Sequence, residues 1–225
     1  PQCLIITKTK FMRKTVMVIV MLFCVGQLTG YAQGGESGKS TGTGQLTFEL
    51  TGSPFNNDAA LLTPGVFRAR YFVMDNIAAR LGMWFDMSSQ KVVPETVLNY
   101  SYFSLRPGGE YHMGGNSKMN TYVGGELIFD GAGSNKNTKV GVPVTGAWDT
   151  DLNHRGFFRW GIAAVTGAEY FLGGGFYIGV EVGLEFTRTG NAEVKLGDDV
   201  IADKVGTNSF NTTFTNSFRF GYAFF

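Results

Sequence analysis

Two stretches of this chain, and its two histidines, carry side chains that could do chemistry. Gly35-Glu36-Ser37-Gly38-Lys39-Ser40-Thr41 shows the Gly-Lys-Ser core of a phosphate-cradling loop. That loop needs a further glycine five residues before Gly38, a strand in front and a helix behind. Gln33 occupies the glycine position and no strand pattern precedes it, so the stretch reads as a linker. Asp149-Thr150-Asp151-Leu152-Asn153 has the alternating oxygen donors that open a calcium loop. His154 replaces its turn glycine and Trp160 stands where the closing glutamate belongs, which leaves a solvated surface loop. The two histidines, His112 and His154, are too few for an imidazole metal centre, and each reads as an ordinary polar or interfacial residue. No cofactor is called for.

The largest set of reactive side chains is dispersed. Glu49, Glu110, Glu126, Glu169, Glu181 and Glu185 recur with Arg68, Arg70, Arg80, Arg106, Arg159 and Arg219 in segments that alternate apolar with polar or small residues. Leu46, Phe48 and Leu50 interleave with Thr47 and Glu49, and Phe67, Ala69, Tyr71 and Val73 with Arg68, Arg70 and Phe72. After a tight turn at Met74-Asp75-Asn76, Ile77, Ala79, Leu81, Met83 and Phe85 interleave with Ala78, Arg80, Gly82, Trp84 and Asp86. Period two means strands, and the turn makes a hairpin. Further strands are expected at about 98–112, 120–130, 157–172, 176–188 and 209–225, giving eight in all.

The charges lie out of phase with the apolar residues, so each strand has one charged and one greasy face. A soluble ligand-binding barrel turns its apolar side chains inward, which leaves no place for twelve internal charges. A lipid-embedded barrel inverts that arrangement, because an outward Arg or Lys at the bilayer midplane costs about 2–4 kcal/mol. Six acids would then meet six bases inside an eight-stranded cylinder just wide enough for side chains to fill it. The expected fold is all-β, a membrane-spanning antiparallel up-and-down barrel. Its short connections (74–76, 113–118, 173–175) should lie at the periplasmic end and its long polar ones (52–65, 87–97, 131–156, 189–208) outside.

Composition agrees. The chain of 225 residues holds 32 glycines and 32 aromatic residues (20 Phe, 9 Tyr, 3 Trp), without a long apolar helix pattern. Met12-Arg13-Lys14, the apolar run from Val16 to Val25 and Gly30-Tyr31-Ala32 read together as a secretory leader. The run is about half of the roughly 20 residues a membrane-spanning helix requires. Pro1 to Phe11 precede that candidate start and support no inference. Cys24 follows the bulky Phe23, so it reads as part of the apolar run and not as a lipid anchor. The expected organisation is therefore 1–32 removed, 33–44 a flexible linker and 45–225 the barrel. Lys8, Lys10, Arg13 and Lys14 leave with the leader, so 15 of 19 Lys and Arg remain against 18 Asp and Glu, a net of −3. That balance gives no support to a nucleic-acid partner. Both cysteines, Cys3 and Cys24, leave as well, so pairing and burial must stabilise the rest.

At this point the chain resembles a family, the small eight-stranded outer-membrane barrels of the OmpX and OmpA transmembrane-domain type. The resemblance covers about 45–225. It rests on Pro64-Gly65-Val66-Phe67-Arg68-Ala69-Arg70-Tyr71-Phe72-Val73-Met74-Asp75-Asn76 and on the terminal Phe218-Arg219-Phe220-Gly221-Tyr222-Ala223-Phe224-Phe225. It implies bacterial outer-membrane residence and recognition of the last strand, with Phe225 as assembly signal, by periplasmic chaperones and the barrel-assembly machinery. Alternation puts Phe214, Phe218, Phe220, Tyr222 and Phe224 toward lipid and leaves Phe225 out of phase with them.

The role expected from this reading is structural or interactive: a charge-plugged anchor in contact with outer-membrane lipid or lipopolysaccharide, or a subunit beside other outer-membrane proteins. A lipid A-modifying barrel enzyme is the alternative, with His154 near Asp149 and Asp151, but no serine is positioned by sequence as its nucleophile. A small-solute channel is a third reading, opposed by the balanced lumen charges. Tyr71, Tyr111, Tyr122, Trp160, Tyr170, Tyr177 and Tyr222 are expected in aromatic girdles at the membrane interfaces. Asn99-Tyr100-Ser101 and Asn211-Thr212-Thr213 match a glycosylation acceptor but fall in expected strands, and are set aside.

Overall fold

A strand whose successive side chains differ in polarity satisfies its backbone only by pairing laterally, and here the pairing runs full circle. The computed structural model describes residues 42–52, 67–93, 95–115, 118–139, 141–213 and 218–224. These lie in one compact unit, 38–224. The leader, most of the linker, the connection after Gly52, Phe214 and Phe225 fall outside the described residues. The strands are β1 (Leu46–Gly52), β2 (Phe67–Met74), β3 (Ile77–Val93), β4 (Thr96–Gly115), β5 (Met119–Thr138), β6 (Val144–Thr145), β7 (Phe157–Gly173), β8 (Phe176–Asn191), β9 (Val194–Leu196), β10 (Asp199–Ala202), β11 (Val205–Thr213) and β12 (Phe218–Phe224).

The ring follows the order β1-β2-β3-β4-β5-β7-β8-β12, antiparallel throughout. β12 returns to β1 with Leu46 opposite Phe224 and Gly52 opposite Phe218. β11 shares the eighth position, pairing the far half of β8 from Thr213 opposite Gly183 to Val205 opposite Asn191. The fold is an all-β antiparallel barrel of eight ringed strands.

Three tight connections gather at one end. In the turn between β7 and β8, Gly174 and Gly175 hold φ of 59° and 84°, the positive pair that a two-residue hairpin of type I′ requires and only glycine adopts freely. The other end departs from expectation. Residues 87–93, 96–97 and 131–138, expected as loops, continue β3, β4 and β5 as long ribbons. Much of 87–93 is exposed on both faces, so no polarity alternation marks it. Backbone pairing and side-chain amide contacts such as Asn99 to Asn135 at 3.0 Å shape these ribbons instead. Beyond the ring, β5 pairs with β6 through Asn135 and Lys136, β6 with β9, and β9 with β10.

Candidate functional site

Alternation decides which side chains enter the barrel. In β2 the buried positions are Arg68, Arg70 and Phe72, and in β12 they are Arg219, Gly221 and Ala223. The same phase brings Glu49, Arg80, Arg106, Glu110, Glu126, Arg159, Glu169, Glu181 and Glu185 to the interior, so all twelve charges expected inside are inside.

They form two tiers. In the tier nearer the tight turns, each of four arginines reaches three carboxylates. Arg70 lies 2.9 Å from Glu49, 2.9 Å from Glu110 and 2.5 Å from Glu169. Arg80 lies 2.7 Å from Glu110, 2.7 Å from Glu126 and 2.9 Å from Glu181. Arg68 meets Glu49, Glu126 and Glu181 at 3.2–3.6 Å, and Arg219 meets Glu49, Glu169 and Glu181 at 3.1–3.6 Å. Even the most open of these side chains, Glu181, is only 13% accessible. The second tier, toward the long ribbons, joins Arg106 to Glu185 at 2.8 Å and Arg159 to Asp130, and is more open, with the Arg159 side chain 32% accessible.

Four interior residues were missed or misplaced by sequence reasoning. Asp130 stands four residues after Glu126 and therefore in the lumen phase, where it accepts from Arg159. Tyr122 and Tyr177, expected in the girdles, are fully buried. Tyr122 donates to Glu181 at 2.6 Å and Tyr177 to Glu49 at 2.8 Å. Each ring lies over the glycine paired across the sheet, Gly167 and Gly221 respectively. Both tyrosines share the charged phase, Tyr122 with Glu126 and Tyr177 with Glu181, and that was the available signal. His112 is buried rather than interfacial, in phase with Glu110 and 3.1 Å from it. By contrast Tyr71, Tyr111, Trp160 and Tyr170 face outward.

The close fit of Tyr122 on Gly167 predicts that Gly167→Val displaces the ring, because the added side chain would occupy its place. Destabilisation of about 1–3 kcal/mol is expected, the range for overpacking, read from the denaturant midpoint of the folded band.

The outward face is apolar through the middle of the ring. On β8 it runs Phe176, Ile178, Val180, Val182, Leu184 and Phe186 before the exposed Arg188, which is paired across from the outward Trp160. A cation and an indole at one height mark the edge of a greasy band.

At the ribbon end, segments expected as free loops build an ordered cap. Val144, Ala147 and Val194 form a small buried core packed by Leu152, Leu196 and Ala202. Gly146 N–H donates to Ser134 O, Gly156 N–H to Gly146 O, and Ala192 N–H to Gly156 O. Arg155 donates to the carbonyls of Ala192 and Asp203. Trp148 donates its indole N–H to Asn99 O at 2.9 Å, and its ring centre lies 3.9 Å from that of His154 and 6.3 Å from that of Tyr100. Asp149, the first oxygen of the calcium-like spacing, accepts from the side-chain amide of Asn153 at 2.8 Å and from its backbone N–H at 3.1 Å. Those bonds hold its carboxyl below the ordinary aspartate range. Sequence reasoning missed this cap because its apolar residues are few and separated by polar ones.

Trp148→Ala removes both the ring contacts and the indole bond. Limited proteolysis is expected to nick the variant within 146–156 while the wild type resists and the barrel itself stays folded.

No family model matches the chain, and neither does any curated protein. Among solved structures it is similar to Ail, the attachment invasion locus protein of Yersinia pestis, with 14% identity over 80% of this chain and 95% of that one and a TM-score of 0.34. It is also similar to the outer membrane protein AlkL in DMPC lipid bilayers, with 18% identity over 82% of this chain and 92% of that one and a TM-score of 0.44. At these values neither likeness assigns a role to this chain.

The geometry of the lumen bears on transport. The inner tier joins opposite walls of the ring, since Arg70 on β2 and Arg219 on β12 share Glu169 on β7, and Arg80 on β3 reaches Glu181 on β8. Moving any one of these side chains aside would strip partners from several others.

Proposed function

We propose that this chain is a bacterial outer-membrane β-barrel that works as a closed, non-catalytic anchor and displays its cap as a binding surface. The observation that carries the reading is the phase of the walls: interlocked ion pairs inside, an apolar band outside. An apolar outward face of this kind is stable in hydrocarbon, and a polar, charged interior is what lipid-embedded barrels carry. Val142, Val200, Ile201 and Val205 are exposed at the ribbon end, which offers a mixed apolar and polar surface to a partner. Candidate partners are lipopolysaccharide and neighbouring outer-membrane proteins, with delivery by the leader and by barrel-assembly factors that read the aromatic last strand.

The test is fractionation followed by electrophoresis with and without boiling, joined to conductance in planar bilayers. A heat-modifiable outer-membrane band with no steady conductance is the expected result. A soluble, unshifted band would overturn the membrane reading, and stable ohmic conductance would overturn the closed lumen. Unchanged lipid A acylation in a deletion strain is expected for a non-catalytic barrel.

A further inference from the structure

Among the described residues the lumen charges do not balance. With Asp130 included, seven carboxylates (Glu49, Glu110, Glu126, Asp130, Glu169, Glu181, Glu185) face six guanidiniums (Arg68, Arg70, Arg80, Arg106, Arg159, Arg219). The second tier is even, Arg106 and Arg159 against Asp130 and Glu185. The excess therefore lies in the inner tier, where five carboxylates meet four arginines. A buried carboxylate without a compensating charge is among the most costly arrangements a fold can hold. One further positive charge belongs there.

We propose that the inner tier binds one proton, held on His112 against Glu110, and that this imidazolium is the fifth cation of the network. His112 Nε2 lies 3.1 Å from Glu110 Oε2, the same oxygen that Arg70 reaches at 2.9 Å. The ring is enclosed by Phe72, with ring centres 4.8 Å apart, and by Tyr122, at 5.3 Å. Its other nitrogen, Nδ1, lies 2.6 Å from the side-chain amide of Asn120, whose Oδ1 is buried without a hydrogen-bond partner. The two ends of an amide are interchangeable by a half turn. Rotated in that way, Asn120 presents its oxygen to Nδ1, and both ring nitrogens donate to oxygen, as only the protonated ring can. The charged and titratable groups facing this corner are Glu110 on β4, Arg70 on β2, Arg80 on β3 at 2.7 Å from Glu110, Tyr122 on β5, Glu169 on β7 and Arg219 on β12, which lies over the Tyr122 ring. The backbone N–H of His112 donates to Asn76 O in the turn between β2 and β3, so the proton sits near the tight-turn mouth.

The inference rests on the lumen network and not on the membrane or the cap, so it stands or falls apart from the anchor proposal.

Histidine ring 15N spectra of the whole barrel in lipid test it, with His154→Gln separating the two histidines. Two protonated ring nitrogens on His112 at neutral pH are expected. One protonated and one bare nitrogen would overturn the proposal. Glu181→Gln is the second arm, since Glu181 has no contact with His112 but belongs to the same network through Arg68, Arg80 and Arg219. Removing that distant carboxylate restores charge balance, and loss of the second ring proton is expected. A ring unchanged in Glu181→Gln would show that the proton answers only to Glu110 and would overturn charge balance as its cause.

Discussion

Arg70→Met is expected to lower barrel stability by about 3–5 kcal/mol, the loss found when one partner of a buried ionic network is removed. Methionine matches the length of the arginine stem and keeps the apolar contacts, so the loss reports charge and hydrogen bonds. Arg70 holds Glu49, Glu110 and Glu169 at once and also donates to Thr47 and Tyr177. Without it three carboxylates share three remaining arginines, all already engaged. Urea titration in lipid vesicles, followed by the heat-modifiable band, would show the shift. A second change, Glu169→Gln in the Arg70→Met background, is expected to recover part of the loss by removing one orphaned charge. If the double variant were no more stable than the single one, the carboxylates would not be acting as a coupled set.

The outer wall yields the second large effect. Leu184→Arg places a cation at mid-height on the outward face, where Leu184 is 48% exposed and opposite Ala164. A loss of about 2–4 kcal/mol is expected there, against about 0–1 kcal/mol for Leu172→Arg close to the tight turns. Leu172 is more exposed, at 56%, so a soluble barrel would tolerate both changes and favour neither position. The dependence on height, measured by the same titration, is what distinguishes lipid from water as the surrounding solvent.

How much of this was legible in the sequence follows from what alternation can encode. Arg68, Arg70 and Arg219 interrupt apolar runs at period two, so their side of the wall was fixed before any coordinate was known. Tyr122 and Tyr177 share that phase, yet their amphipathic rings also suit a membrane interface, and residue type outweighed phase. Asp130 was the last residue of its expected strand and was left out of the interior set, and its omission made the charges look even. The ribbon formed by 87–93 left no mark, because a strand solvated on both faces needs no polarity pattern, and 131–138 left none because its glycines, serine, asparagines and lysine show no apolar alternation. The cap depends on a buried core of Val144, Ala147 and Val194, brought together from segments almost fifty residues apart in the chain, and local periodicity carries no such information.

The closing seam between β1 and β12 has a consequence for how this protein comes to exist. Glu49 and Arg219 meet across 170 positions, so the bond that locks the ring needs both extremes of the barrel sequence in place. A nascent sheet from β1 to β8 would present two raw edges to hydrocarbon, where unpaired amides are intolerable. In the membrane proposed for this barrel, insertion would then wait on the arrival of the last strand. The same seam is short beside the long β3–β4 and β4–β5 ladders, and so are its neighbours β1–β2 and β12–β8.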